Sequence, residues 1–307
     1  MMRNWLNKIQ TQAQGASEPI QSNAVMRVIG DRASGKTTYM ASLARWPNAD
    51  ASSPVQAVIP INEEGSQLVE KAQNILEQGL ELEPTRLDAS ALDVSDYTLS
   101  ITLKGRFTWK NSPVSLGSQQ MTLNISCKDY AGEFFTDLLH QAGNSRLEDY
   151  LEDCLQATGI MFLIDGTTYR KDSEYASGLD KFLMALDRTD MSAAKRRIAL
   201  VVTKCEQSDL WINRSRPGYL ASARFPQVYK KLQTWQQMGA GNVDFFTTSA
   251  FGMLGTRYQE PNSQQLSRGR DGTTSVLKDP KRWRPFGLVS PIYWLCTGDR
   301  HQELDRD

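Results

Sequence analysis

Histidine is almost absent from this chain: His140 and His301 are the only two, and the four cysteines, Cys127, Cys154, Cys205 and Cys296, stand far apart with no C-x-x-C pair. That scarcity argues against a disulfide framework and against a zinc site, and makes a reducing cytoplasm the expected compartment. A surplus of one charge is missing as well. Lys plus Arg and Asp plus Glu each number 35, so neither nucleic acid nor an anionic membrane is the default partner. Long apolar runs are also lacking: the longest, such as Ile160 to Ile164, are strand-sized, and the first residues have no apolar signal-peptide core. A soluble, intracellular protein without a transmembrane segment is expected. With 307 residues, 40% of them hydrophobic, one elaborated α/β domain can bury a large core.

What the chain does have is Gly30-Asp31-Arg32-Ala33-Ser34-Gly35-Lys36-Thr37-Thr38. This fits G-x-x-x-x-G-K-[ST], the Walker A phosphate-binding P-loop, and it lies between an apolar run (Ala24 to Ile29) and a helix-like segment (Thr38 to Ala44). A polyphosphate needs several converging backbone N–H donors, which glycines permit by allowing close approach, and the following helix N-terminus adds a favourable dipole. In this pattern Lys36 reaches the β- and γ-phosphates and the Thr37 hydroxyl binds Mg²⁺.

Residues 1–23, rich in Gln, Asn and Ser, read as an N-terminal arm or short helix and linker. Residues 24–307 read as a single domain, elaborated by insertions at about 45–84 and 256–284. Val55 to Ile59 is a candidate strand, and Glu63 to Gln78 a helix with Leu68, Val69, Ala72, Ile75 and Leu76 on one face, stopped at Gly79. Tyr97 to Phe107 and Met121 to Lys128 alternate apolar and polar residues as an antiparallel strand pair does. Helices over Phe134 to Gln141, Arg146 to Ala157 and Ser173 to Leu186 alternate with apolar strands at Ile160 to Asp165, Ile198 to Val202 and Val243 to Thr247. This alternation predicts a doubly wound, mostly parallel sheet with one antiparallel pair and helices on both faces, ligands lying at the strands' carboxyl ends. Residues 256–284 read as a long insertion or loop, and the basic segment Lys278 to Arg284, with Trp283, as a solvated loop, with a phosphate- or nucleic-acid-binding patch as the alternative.

The motifs fall at those strand ends. The second strand of the pair runs into Asp129-Tyr130-Ala131-Gly132-Glu133, where a carboxylate can hold Mg²⁺ through water and Gly132 can turn an N–H toward a γ-phosphate. Later strands close with Thr203-Lys204-Cys205-Glu206 and Thr248-Ser249-Ala250. The order P-loop, D-x-x-G, [NT]-K-x-[DE], S-A resembles the sequence layout of the Ras-like P-loop GTPases, over residues 24–255 and the final helix. The Gly79 to Thr85 run, D-Y-A-G-E and the closing Pro285 to Leu288 and Pro291 to Leu295 further resemble prokaryotic double-GTPase domains linked to conflict and signalling loci.

The resemblance implies that Lys204 lies over the nucleotide, Glu206 accepts from guanine N1–H and the 2-amino group, and Ala250 meets guanine O6. Thr203 stands where Asn is commoner, and Glu206 where Asp is usual. Thr85 would be the switch threonine on Mg²⁺. Glu133 occupies the place of the water-orienting Gln and acts as a base or as a helix cap. Arg32 replaces a common Gly, either obstructing an external arginine or supplying a charge in cis. Catalytic candidates are thus Glu133, Lys36 and Arg32, and the expected ligands are GTP or GDP with Mg²⁺. A GTP-hydrolysing switch acting on an effector or regulator protein is the leading reading, with a nucleotide-dependent dimer open. A nucleotide-binding scaffold with little turnover and a P-loop ATPase remain as alternatives.

Overall fold

The computed structural model describes residues 20–22, 26–48, 53–80, 96–104, 121–128, 134–141, 143–157, 159–187, 196–255, 260–267 and 273–305. The chain enters through β1 (Ile20–Ser22) and β2 (Met26–Gly30), then turns into helix α1 (Lys36–Arg45). Strand β3 (Val55–Pro60), helix α2 (Glu63–Gln78), β4 (Asp96–Leu103) and β5 (Met121–Lys128) follow. Helices α3 (Phe134–His140) and α4 (Ser145–Leu155) lead to β6 (Gly159–Asp165), α5 (Asp172–Asp187) and β7 (Arg196–Thr203). Three helices, α6 (Ser208–Trp211), α7 (Pro217–Arg224) and α8 (Pro226–Gln237), precede β8 (Gly241–Thr247). The sheet order is β3-β4-β5-β2-β6-β7-β8, with β1 also paired to β5.

The fold is an α/β P-loop sheet. β2, β5, β6, β7 and β8 are mutually parallel along the path, and β4 runs against both β3 and β5. β6 is buried along all seven residues, as a strand covered on both faces must be. Its side chains divide by pleat: Met161 and Leu163 join a core with α1 and α2, whereas Ile160, Phe162 and Ile164 join one with α3 to α8. Such a strand reads as a continuous apolar run because neither face meets water.

Helix α2 has the bounds its periodicity predicts, and the reason is local. The Asn62 side chain accepts from Gly65 N at 2.9 Å, Glu63 and Glu64 favour the helix N-terminus, and Gly79 ends the helix at φ 67°. Leu68, Ala72, Ile75 and Leu76 are buried. Two regions differ from the reading of the sequence. Ile20–Ser22, within the segment read as arm and linker, pairs in parallel with Met121–Leu123. Residues 208–237, to which no element is assigned from sequence, form α6, α7 and α8, the last two opening on Pro217 and Pro226, where a missing N–H costs nothing.

The stretch read as a loop at 256–284 is also folded where it is described. Strand β9 (Met253–Leu254) pairs with β10 (Glu260–Pro261), and β11 (Ser263–Ser267) forms a hairpin with β12 (Thr273–Leu277). Thr274 and Val276 of β12 lie against Gly79 at the end of α2. Helix α9 (Ser290–Thr297) closes the fold against the sheet. The basic run is solvated except at Trp283: Lys278, Lys281, Arg282 and Arg284 are exposed, with Lys278 paired to Glu260 and Arg282 to Asp279 at 2.8 Å. Trp283 is buried, and its Nε1–H donates to the Ala250 carbonyl at 2.8 Å. We expect Trp283→Ala to cost about 3–5 kcal/mol of unfolding free energy, measured in urea; an exposed loop residue would change it by less than about 0.5 kcal/mol.

Candidate functional site

The turn from β2 into α1 carries the phosphate-loop residues. Ala33 and Gly35 both take left-handed backbone, at φ 61° and 93°. A Cβ at Gly30 would stand 2.5 Å from the Leu163 carbonyl and from Ser34 Oγ, so glycine is needed where the loop presses on β6. Helix α1 begins on Lys36 with Gly35 as N-cap, no side chain capping it and no acid in its first turn. Its leading N–H groups therefore have no intrahelical acceptor. The Lys36 ammonium is buried and donates to the Gly30 and Asp31 carbonyls at 2.8 and 3.0 Å. Ser34 Oγ is buried with no hydrogen-bond partner among the described residues. Left-handed turns, a bare helix N-terminus, a buried ammonium and an orphaned hydroxyl form a donor-rich cradle, the chemistry a polyphosphate requires. Thr37 and Thr38 are half-buried beside it, and Arg32 is exposed on it.

The parallel register sets β7 and β8 beside this cradle. Thr203, at the end of β7, donates its hydroxyl to the Ser34 carbonyl at 2.8 Å, with the Ile164 carbonyl at 3.2 Å. Next in sequence, Lys204 is held at φ 58°, and its ammonium lies 2.5 Å from Asp165 Oδ2 at the end of β6. Glu206 is buried and accepts from Ser249 Oγ at 2.6 Å, while that hydroxyl accepts from Gly252 N at 2.8 Å. Burial pushes the Glu206 carboxyl above the usual range, opposed in part by the Ser249 hydroxyl and by Lys204. Ser249 exchanges both backbone hydrogen bonds with Phe286 at 3.0 Å, and Cys205 N donates to the Thr248 carbonyl at 3.1 Å. The loops that follow β7 and β8 are thereby fixed to one another and to the segment before α9.

Gly30 to Thr38, Thr203, Lys204, Glu206, Ser249 and Ala250 thus meet at one edge of the sheet. Asp129, Gly132, Glu133 and Thr85 lie outside the described residues, although β5 delivers the chain to Lys128 next to β2. Three contributors carry no role in the reading of the sequence. Asp165 binds Lys204; Lys171 lies 3.5 Å from Asp31 Oδ2; Trp283 holds Ala250. Asp165 was legible only as the acid closing an apolar strand, and Trp283 as the lone aromatic of a basic run. Among the described residues no group of His, Cys, Asp and Glu forms a metal cluster, and no helix is long and apolar enough to cross a membrane.

No protein-family model matches the chain, and no curated protein does. Several solved structures are similar to it. One is the signal recognition particle receptor SRb-GTP/SRX complex from Chaetomium thermophilum, at 14% identity over 77% of this chain and 93% of that one, with a TM-score of 0.40. Another is the ADP-ribosylation factor-like GTP-binding protein, small COPII coat GTPase SAR1, from Encephalitozoon cuniculi in complex with GDP, at 12% identity over 81% and 82% with a TM-score of 0.33. A third is the Ski7 GTPase-like domain from S. cerevisiae bound to GDP and inorganic phosphate, at 14% identity, a TM-score of 0.36, and 79% of this chain against 45% of that one. At such identities and scores neither ligand nor role transfers, and the chemistry of the site rests on the distances above.

The Thr203 hydroxyl links the loop before α1 directly to the end of β7. Thr203→Val keeps the shape and leaves the Ser34 carbonyl short of a donor. An unfolding cost of about 1–3 kcal/mol is expected in chemical denaturation, together with weaker binding of a nucleoside triphosphate.

Proposed function

We propose that this chain binds guanine nucleotides with Mg²⁺ and hydrolyses GTP as a switch that regulates a partner protein. The observation carrying this reading is the buried pair Glu206–Ser249, set beside a donor-rich phosphate cradle by the Thr203–Ser34 hydrogen bond. A carboxylate serves the two donors on the guanine edge, N1–H and the 2-amino group. Adenine has neither, and would leave the remaining acceptor sites of the dehydrated acid unfilled. Burial has already stripped water from Glu206 in the free protein, so the base meets a prepared acceptor.

The phosphate end follows from the cradle. Lys36, the N–H groups opening α1 and the Ser34 hydroxyl would hold the polyphosphate, and Gly132 would add a backbone donor. Mg²⁺ would be held by Thr37 with Asp129 and Thr85, and when bound it neutralises charge on the β- and γ-oxygens. Glu133 is the residue proposed to orient or deprotonate water, and the exposed Arg32 the cis cation at the cradle's rim. The order of motifs, D-Y-A-G-E, and the segment that clamps Ser249 support extending the reading to the prokaryotic double-GTPase type.

Glu206→Ala is expected to erase most of the preference for GTP over ATP while leaving affinity for the phosphate end nearly unchanged; a retained preference in competition titrations contradicts the base assignment. Asp129→Ala is expected to weaken triphosphate binding far more in Mg²⁺ than in EDTA, and equal losses contradict the metal role. Because the Glu206 carboxyl titrates above its usual range, guanine preference is expected to fade as pH drops through that raised value, earlier than for an exposed glutamate. The same shift works against the free fold at neutral pH. A raised acid contributes stability when protonated and loses it as pH rises, so Glu206→Gln is expected to unfold at higher denaturant than wild type near pH 7, the difference closing on acidification.

A further inference from the structure

The contact between Lys204 and Asp165 is unassigned in that reading, and it is built with unusual care. Asp165 ends β6 with its side chain 9% exposed. Its Oδ1 accepts from Thr167 N at 2.9 Å and from Thr167 Oγ1 at 2.7 Å, and its Oδ2 faces the Lys204 ammonium at 2.5 Å. Both oxygens of a nearly buried carboxylate are thereby used, one for its own turn and one for the lysine. Lys204 and Ala33 are the two described residues other than glycine with positive φ. That conformation costs on the order of 1–3 kcal/mol, and it gathers at ligand sites. Hydrogen bonds from Gly166 N to the Thr203 carbonyl (3.2 Å), from Gln207 N to the Lys204 carbonyl (3.0 Å) and from Cys205 N to the Thr248 carbonyl (3.1 Å) hold the backbone there.

The lysine side chain itself stays 34% exposed although its ammonium is held. Ordering so long a side chain opposes stability, and a partly exposed ion pair returns little. The arrangement makes physical sense as a surface prepared for something else.

We propose that Asp165 is a positioning residue for the nucleobase: it pins the Lys204 ammonium so that the lysine stem forms a preformed apolar platform for the face of a purine. This rests on the nucleotide-binding reading above, whose motif order already sets Lys204 over the nucleotide, and adds the residue that holds the lysine there. The platform touches the ring face, which guanine and adenine share, whereas Glu206 reads the edge that distinguishes them. Fixing the stem before binding removes the rotamer freedom that the base would otherwise have to quench.

The test uses the full chain with Mg²⁺, comparing Kd for GTP, ATP and inorganic tripolyphosphate in wild type and Asp165→Asn. Asn keeps the shape and the acceptor for Thr167 but carries no charge to hold Lys204. GTP and ATP are each expected to weaken by about tenfold with their ratio unchanged, while tripolyphosphate stays within about twofold. In a Lys204→Ala background, Asp165→Asn is expected to add nothing. An equal loss for tripolyphosphate would assign Asp165 to the phosphate loop, additive losses would show that it does not act through Lys204, and an unchanged GTP affinity would show no role at all. Any of the three overturns the proposal and leaves the nucleotide reading standing. A wild-type protein that holds tripolyphosphate as tightly as GTP would instead remove the base site, and the platform with it.

Discussion

The parallel pairing of β2, β6, β7 and β8 is the constraint on which the site depends. Gly30 pairs with Leu163, Asp165 with Thr203, and Val202 with Thr247, so consecutive strands finish in one row, and whatever follows them in sequence is brought together. Loops far apart in the chain then meet within hydrogen-bond range. The Thr203 hydroxyl reaches the Ser34 carbonyl across 169 positions, and Ser249 reaches Glu206 across 43. A one-residue slip of β7 would turn Thr203 and the apolar residues of that strand to opposite faces, so the same burial that stabilises the sheet fixes the geometry of the site.

The strand ends also concentrate the unfavourable features of the molecule. Two left-handed non-glycine residues, the buried acids Asp31, Asp165 and Glu206, a buried ammonium and an orphaned serine hydroxyl all lie along this edge. The left-handed backbone and the orphaned hydroxyl each oppose folding by roughly a kilocalorie per mole or more, and dehydration disfavours the ionised form of Glu206. Two apolar layers offset them: Tyr39, Met40 and Leu43 of α1 with α2 and α9 on one face, and the packed rings of Phe134, Phe135, Phe162 and Phe182 on the other. Dehydrated polar groups and strained backbone survive here because the surrounding cores over-determine their positions, the condition under which a site can be complementary to a charged ligand before the ligand arrives.

Much of this was legible in the sequence because the signals are local. The P-loop spacing, the apolar run of β6 and the caps of α2 each lie within a few residues, and their physical causes act over the same distance. The hairpin at 263–277 escaped notice because its Ser, Thr and Gln composition looks like a loop, and only Val276, Leu277 and Trp283 reveal the buried side. The helices α7 and α8 lie in a segment given no element from sequence, although prolines open both. Asp165 was invisible as a site residue for a different reason. Its partner is 39 positions away, and an acid at a strand end has no local pattern that tells a ligand to lysine from an ordinary turn former. Asp129, Gly132, Glu133 and Thr85 lie outside the described residues, so their roles continue to rest on motif order alone.

The central claim, that the buried carboxylate beside the phosphate cradle reads guanine, is tested most directly by displacing a labelled GTP from the wild-type protein with unlabelled GTP, GDP and ATP, with Mg²⁺ and with EDTA. The account predicts that GTP outcompetes ATP by at least about a hundredfold in Mg²⁺. Equal displacement by ATP and GTP would contradict it.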